Sequence, residues 1–131
     1  MNQSSQPQIK LEFPSEAASV TSLRRRAAAF AAEQGAGREL VADVNLAVSE
    51  AVTNAVKYGG STGAPDELVF SASVAGDWLE LSLTDAGRSF GRGSPDGLGL
   101  GLTIIARLCD DLRIVQEGAG TTVLMRFALT R

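Results

Sequence analysis

The chain has 131 residues, of which 44% are hydrophobic and 21% charged, a profile that fits one packed globular domain and excludes a disordered or collagen-like chain. Lys and Arg number 12 against 15 Asp and Glu, a net charge of −3, which argues against a protein that coats nucleic acid. No apolar run reaches the ~20 residues of a membrane helix, and the lack of histidine together with a single cysteine, Cys109, excludes histidine-based catalytic dyads, His-metal sites and structural zinc.

One cysteine permits no disulfide within the chain, so a cytoplasmic location is expected. Met1 to Pro7 reads as a polar, disordered tail, and Met1 to Gln8 lacks the apolar stretch of a secretory signal. Residues 8–131 are then expected to form a single domain. Ile9, Leu11 and Phe13 alternate as in a half-buried strand over Gln8 to Phe13. Pro14-Ser15 opens a helix with Ser15 as N-cap, running to about Gln34 with Val20, Leu23, Ala27 and Phe30 at helical spacing. Gly35 and Gly37 punctuate, and a second helix runs from Arg38 to Tyr58 before Gly59-Gly60. After a loop at Ser61 to Pro65, Leu68, Phe70, Ala72 and Val74 alternate. Ala75-Gly76-Asp77 turns, and Leu79, Leu81 and Leu83 alternate in turn, as in a hairpin. Six of the 14 glycines fall between Gly87 and Gly101, the mark of a loop that backbone or ligand must approach closely. A third helix is expected over about Gly99 to Asp110, with Leu102, Ile105, Cys109 and Leu112 on one stripe. Leu112 to Gln116 and Thr121 to Leu129 read as a last hairpin. Hairpin strands with helices on one face make an α+β two-layer sandwich, with a mixed, mostly antiparallel sheet covered by three helices.

Four segments of this frame have residues suited to chemistry. On the second helix, Glu50 and Asn54 lie ~40° apart, sharing a stripe with Asp43, Ala47 and Lys57, opposite the apolar Val41, Val44, Val48, Val52 and Ala55. The stripe is expected to be a non-core surface. A carboxylate there can accept a proton and an amide oxygen can ligate Mg²⁺; a merely solvated helix face has the same spacing. Asp85-Ala86-Gly87 follows a strand, where Asp can accept from an exocyclic amine and Gly admits a flat ring, or where the triplet is a turn. Gly97-Leu98-Gly99-Leu100-Gly101 opens a helix, whose N-terminal amides suit an anion; a flexible linker reads the same way. Gly118 to Thr122 turns into the last strand, with a Thr hydroxyl available to a base.

Taken together, these segments resemble the Bergerat-type (GHKL) ATP-binding fold of gyrase B, histidine kinases and MutL. The chain is most similar to the anti-sigma factor serine kinases of the RsbW and SpoIIAB type. Val48-Ser49-Glu50-Ala51-Val52-Thr53-Asn54-Ala55 resembles that family's N box, and Asp85-Ala86-Gly87 its G1 box. Gly99-Leu100-Gly101-Leu102-Thr103-Ile104 resembles the G2 box, and Gly120-Thr121-Thr122-Val123 the terminal Gly-Thr element. The resemblance implies that ATP and Mg²⁺ are the cofactors. Asp85 would accept from the adenine amino group, with Gly87 beneath the ring and Thr121 assisting. Asn54 would coordinate Mg²⁺ through the phosphates, and Glu50 would be the catalytic base for a partner's serine. Gly97, Gly99, Leu100 and Gly101 would belong to a lid over the phosphates, with Lys57 or Arg88 as a cation. The implied partners are a sigma factor and an anti-anti-sigma protein of the STAS-domain type, acting with a homodimer and without direct nucleic-acid or membrane contact. Two alternatives accompany this reading. One is an ATP-gated binding module without catalysis. The other follows from Asn54-Ala55-Val56-Lys57-Tyr58, which resembles the N box of sensor histidine kinases and implies a stand-alone catalytic domain of that kind.

Overall fold

The computed structural model describes residues 6–58, 67–85, 95–117 and 120–130. The chain opens with β1 (Gln8–Pro14) and passes directly into α1 (Ala17–Glu33). The junction is tight: Glu16 N–H and the Ser19 hydroxyl both donate to the Pro14 carbonyl, at 3.0 and 2.6 Å. This turn moves the N-cap to Glu16, which makes no side-chain cap bond, so Ser15 is not the cap its sequence position suggested. At the other end Gly35 takes φ of +92°. Ala36 N–H donates to Ala31 O and Gly35 N–H to Ala32 O, the Schellman pattern that needs a left-handed residue at that point. The chain then turns into α2 (Arg38–Tyr58).

Strands β2 (Glu67–Ala75) and β3 (Trp78–Asp85) form a hairpin around Gly76-Asp77. Gly76 has φ of +63°, as two-residue hairpin loops favour. Helix α3 spans Pro95–Leu108, starting earlier and ending sooner than the glycine pattern suggested. Pro95 is a favoured first helical residue, because it has no N–H to leave unpaired and its φ is preset. The Gly97–Gly101 segment therefore lies within the helix. Strands β4 (Asp111–Glu117) and β5 (Gly120–Ala128) complete the sheet.

The strand order is β1-β2-β3-β5-β4, and every pairing is antiparallel, which narrows the expected mixed sheet. Strand period puts alternate residues on opposite faces. Leu68, Phe70, Leu79, Leu81, Leu83, Val123, Met125 and Phe127 face inward and are buried together with Leu23, Phe30, Val44, Val48, Val52 and Ile105 of the helices. α2 packs against both α1 and α3. The opposite face of the sheet is polar and paired across strands. Ser71 and Ser82 hydroxyls meet at 2.6 Å, Thr84 and Thr122 at 2.7 Å, and Arg126 Nε donates to Glu80 at 3.0 Å. The Arg126 guanidinium also stacks 4.3 Å above the Trp78 ring, which gives Trp78 its packing role after the turn. No helix among the described residues is long and apolar enough to cross a membrane.

Cys109 packs against the core, and its thiol donates to Ile105 O at 3.2 Å. Burial, ahead of all other influences, raises the thiol pKa above its ordinary 9.0. The folded chain thus keeps the proton where the unfolded chain ionises. The resulting stabilisation is intact below about pH 9 and is lost as pH rises through the folded value. Urea midpoints of the unmodified chain should fall more steeply above pH 9 than those of Cys109→Ala. Phe70→Ala, in the middle of the inner face, should cost about 3–5 kcal/mol in the same assay.

Candidate functional site

The inner face of the sheet changes character at one end. Along β3, Leu79, Leu81, Leu83 and Asp85 occupy successive inward positions; along β5, Phe127, Met125, Val123 and Thr121 face them. Asp85 and Thr121 are directly opposite each other in the ladder. Asp85 is 4% exposed and Thr121 fully buried. A carboxylate in that position is held there by strand period rather than by any preference of its own, since burial of a charged group is costly. Thr122, the next residue, turns its hydroxyl to the outer face, to Thr84. Two neighbouring threonines therefore have separate tasks.

Glu50 and Asn54 lie one turn apart on α2. Asn54 is only 5% exposed and Ala47 is wholly buried, so these two leave the non-core surface expected of their stripe, while Lys57 is exposed and Asp43 and Glu50 are half-buried. The pattern misled because α2 is covered on more than one side: α1, α3 and β3 all pack on it. Glu50 is half-buried, and the Ser49 hydroxyl beside it is committed to Asn45 O at 2.8 Å. Two buried polar atoms take no hydrogen bond among the described residues, Asn54 Nδ2 and Asp85 Oδ1, while Asp85 and Thr121 each make other contacts. The structure thus brings Asn54, Asp85 and Thr121 into the layer between sheet and helices, with Glu50 at its edge. Gly97, Gly99, Leu100 and Gly101 fall in the first turns of α3. Gly87, Arg88 and the rest of 86–94 lie outside the described residues.

Residues 13–127 match the family model of the histidine kinase-like ATPase domain. The chain belongs to that family. Its α+β sandwich is the family's fold, and the relatives agree in length as well as in sequence. The serine-protein kinase RsbW of Bacillus licheniformis is 31% identical over 139 aligned positions, covering 94% of this chain and 86% of that protein. The anti-sigma F factor of Halalkalibacterium halodurans is 28% identical, with coverage of 95% and 94%. Among solved structures, a Mycobacterium tuberculosis chain with RsbU and RsbW domains superposes with a TM-score of 0.77 at 27% identity. The match covers 94% of the present chain and 32% of that longer one. A blue-light activated histidine kinase domain from Erythrobacter litoralis shares the fold, with a TM-score of 0.60 at 22% identity over 85% of this chain and 61% of that one.

A buried amide whose donor is unsatisfied is a cost to the folded chain. Replacing it with an apolar side chain of similar size removes that cost. Asn54→Leu should therefore stabilise the protein, by about 1 kcal/mol in urea denaturation.

Proposed function

We propose that the chain is an ATP-dependent protein serine kinase that doubles as an anti-sigma factor. In this reading it sequesters a sigma factor and phosphorylates an anti-anti-sigma partner of the STAS-domain type on serine. The observation that carries the reading is the buried Asp85–Thr121 pair at the end of an apolar inner face, which this reading takes as the base-recognition residues. The names of the relatives, serine-protein kinase and anti-sigma F factor, support the choice of reaction and partners.

The residues present fit the cofactors this implies. Asp85 offers a buried acceptor for an exocyclic amine, and the Thr121 hydroxyl a second polar contact to the base. The Asn54 side chain offers a hard oxygen from within the layer. Asn54 would hold Mg²⁺ here, together with the phosphates. Bound Mg²⁺·ATP supplies the phosphoryl group and neutralises its charge. The protein's part is positioning and proton handling. Glu50, half-exposed at the edge of the layer, can reach a partner's serine hydroxyl and take its proton. The N-terminal amides of α3 would supply donors to the anionic end of the ligand in this scheme. A cytoplasmic homodimer, with residues 8–131 as the kinase domain, completes the proposal.

Lys57 and Tyr58 at the end of α2 favour a second reading, a catalytic domain of the sensor histidine kinase kind that modifies another chain. Transfer of radiolabelled γ-phosphate to a STAS-domain partner separates the readings. Glu50→Gln should lower transfer by roughly 10²–10⁴-fold and leave the Kd for ATP within about twofold. The labelled partner should be acid-stable, as phosphoserine is. ATP binding with no transfer by the unmodified chain would instead mean a binding module, and an acid-labile product would mean histidine.

A further inference from the structure

The described sheet ends in two edge strands, β1 and β4. β1 is 7 residues long and pairs with β2. Val74 N–H donates to Pro7 O at 3.2 Å, which sets the phase of this ladder. The peptide groups of Pro7, Ile9, Leu11 and Phe13 therefore point to β2, and those of Gln8, Lys10 and Glu12 point to the free edge. Such a row of N–H and C=O groups is a template for another strand. Lys10 and Glu12 are exposed on the outer face, and neither forms an ion pair among the described residues. Ile9, Leu11 and Phe13 pack against the core from the inner face but stay only half-buried.

We infer that this edge is the homodimer interface, with β1 of two copies joined antiparallel about a two-fold axis at Leu11. The inference rests on the homodimer of the proposed function and names its surface. Charge selects the register. Paired residues of neighbouring strands lie on the same face of a sheet, so the axis must fall at a residue and not between two. At Leu11 it sets Lys10 of each copy opposite Glu12 of the other and overlaps the whole strand, Gln8 to Pro14. An axis at Lys10 sets lysine against lysine, and one at Glu12 sets glutamate against glutamate, which is unfavourable. The axis at Leu11 also suits the backbone. Lys10 and Glu12 point their peptide groups to the edge, so each facing pair exchanges both of its hydrogen bonds. Pro14 has no N–H to offer and ends the ladder. On the inner side Leu11 meets its counterpart and Ile9 meets Phe13, which covers apolar surface that the edge leaves half-open. The contact is the same patch on both copies, as a closed two-fold dimer requires. At the other edge the charge is already used within its own strand, where Arg113 pairs with Asp111 at 3.4 Å.

The test uses the full chain. Sedimentation equilibrium gives the dimer Kd of the unmodified chain, of Lys10→Glu, of Glu12→Lys and of the two changes combined, with circular dichroism to show that each is folded. Either single reversal should raise the Kd roughly tenfold or more, because symmetry turns two opposite-charge pairs into two like-charge pairs. The combined variant exchanges the charges and restores both pairs, so its Kd should return to within about threefold of the unmodified chain. Leu11→Cys in a Cys109→Ala background gives an independent readout. Cysteines facing each other across the axis lie within the Cα separation that a disulfide spans, so oxidation should link the two copies. A Kd unchanged by either reversal, a combined variant as weak as the single ones, or no disulfide in a dimeric Leu11→Cys chain overturns the β1 interface and leaves the homodimer and kinase readings intact. A monomeric unmodified chain overturns this inference and the homodimer together, while phosphate transfer decides the kinase reading separately.

Discussion

The antiparallel register of β3 on β5 governs both the core and the candidate site. It places Leu79, Leu81 and Leu83 opposite Phe127, Met125 and Val123, all inward. A slip of one residue would turn Trp78, Glu80, Ser82 and Thr84 into the core and expel three leucines. The apolar side chains therefore fix the register, and the register carries Asp85 and Thr121 below the surface with them. The polar pairs on the outer face agree with the same alignment: Ser71 with Ser82, Thr84 with Thr122, and Glu80 with Arg126. Burying a carboxylate and an amide works against stability. The hydrophobic remainder of the layer has to outweigh that cost, and a ligand that meets those groups offsets it.

Helix α2 carries a second constraint. Flanked by two helices and lying on a sheet, α2 buries the polar Asn54 by position, while Arg38, Glu39 and Lys57 stay exposed and Glu50 is half-buried. In the proposed reaction the proton acceptor, half-buried Glu50, lies nearer the surface than the buried phosphate contact Asn54.

Much of this was legible in the sequence because alternation and helical spacing are strong where one face is covered. The bounds of α2, the alternation of β2, β3 and β5, and the turn at Gly76 all follow from local pattern. The boxes around Glu50, Asp85 and Thr121 identify the family because their order and spacing are joined to those elements. What local pattern misses is tertiary. Ser15 is a good cap by composition, yet the Pro14 carbonyl draws in both Glu16 N–H and the Ser19 hydroxyl, and the helix starts one residue later. The burial of Asn54 depends on α1 and α3, which no window of α2 contains.

The central claim is that a buried carboxylate opposite Thr121 reads the adenine base of a nucleotide. Titration calorimetry with Mg²⁺·ATP and Mg²⁺·GTP, on the unmodified chain and on folded Asp85→Asn, tests it most directly. The account predicts binding of ATP, little or none of GTP, and loss of ATP binding in Asp85→Asn, where one carboxylate oxygen is replaced by an amide donor and the charge is lost. No affinity for either nucleotide, or ATP binding undiminished by Asp85→Asn, would contradict it.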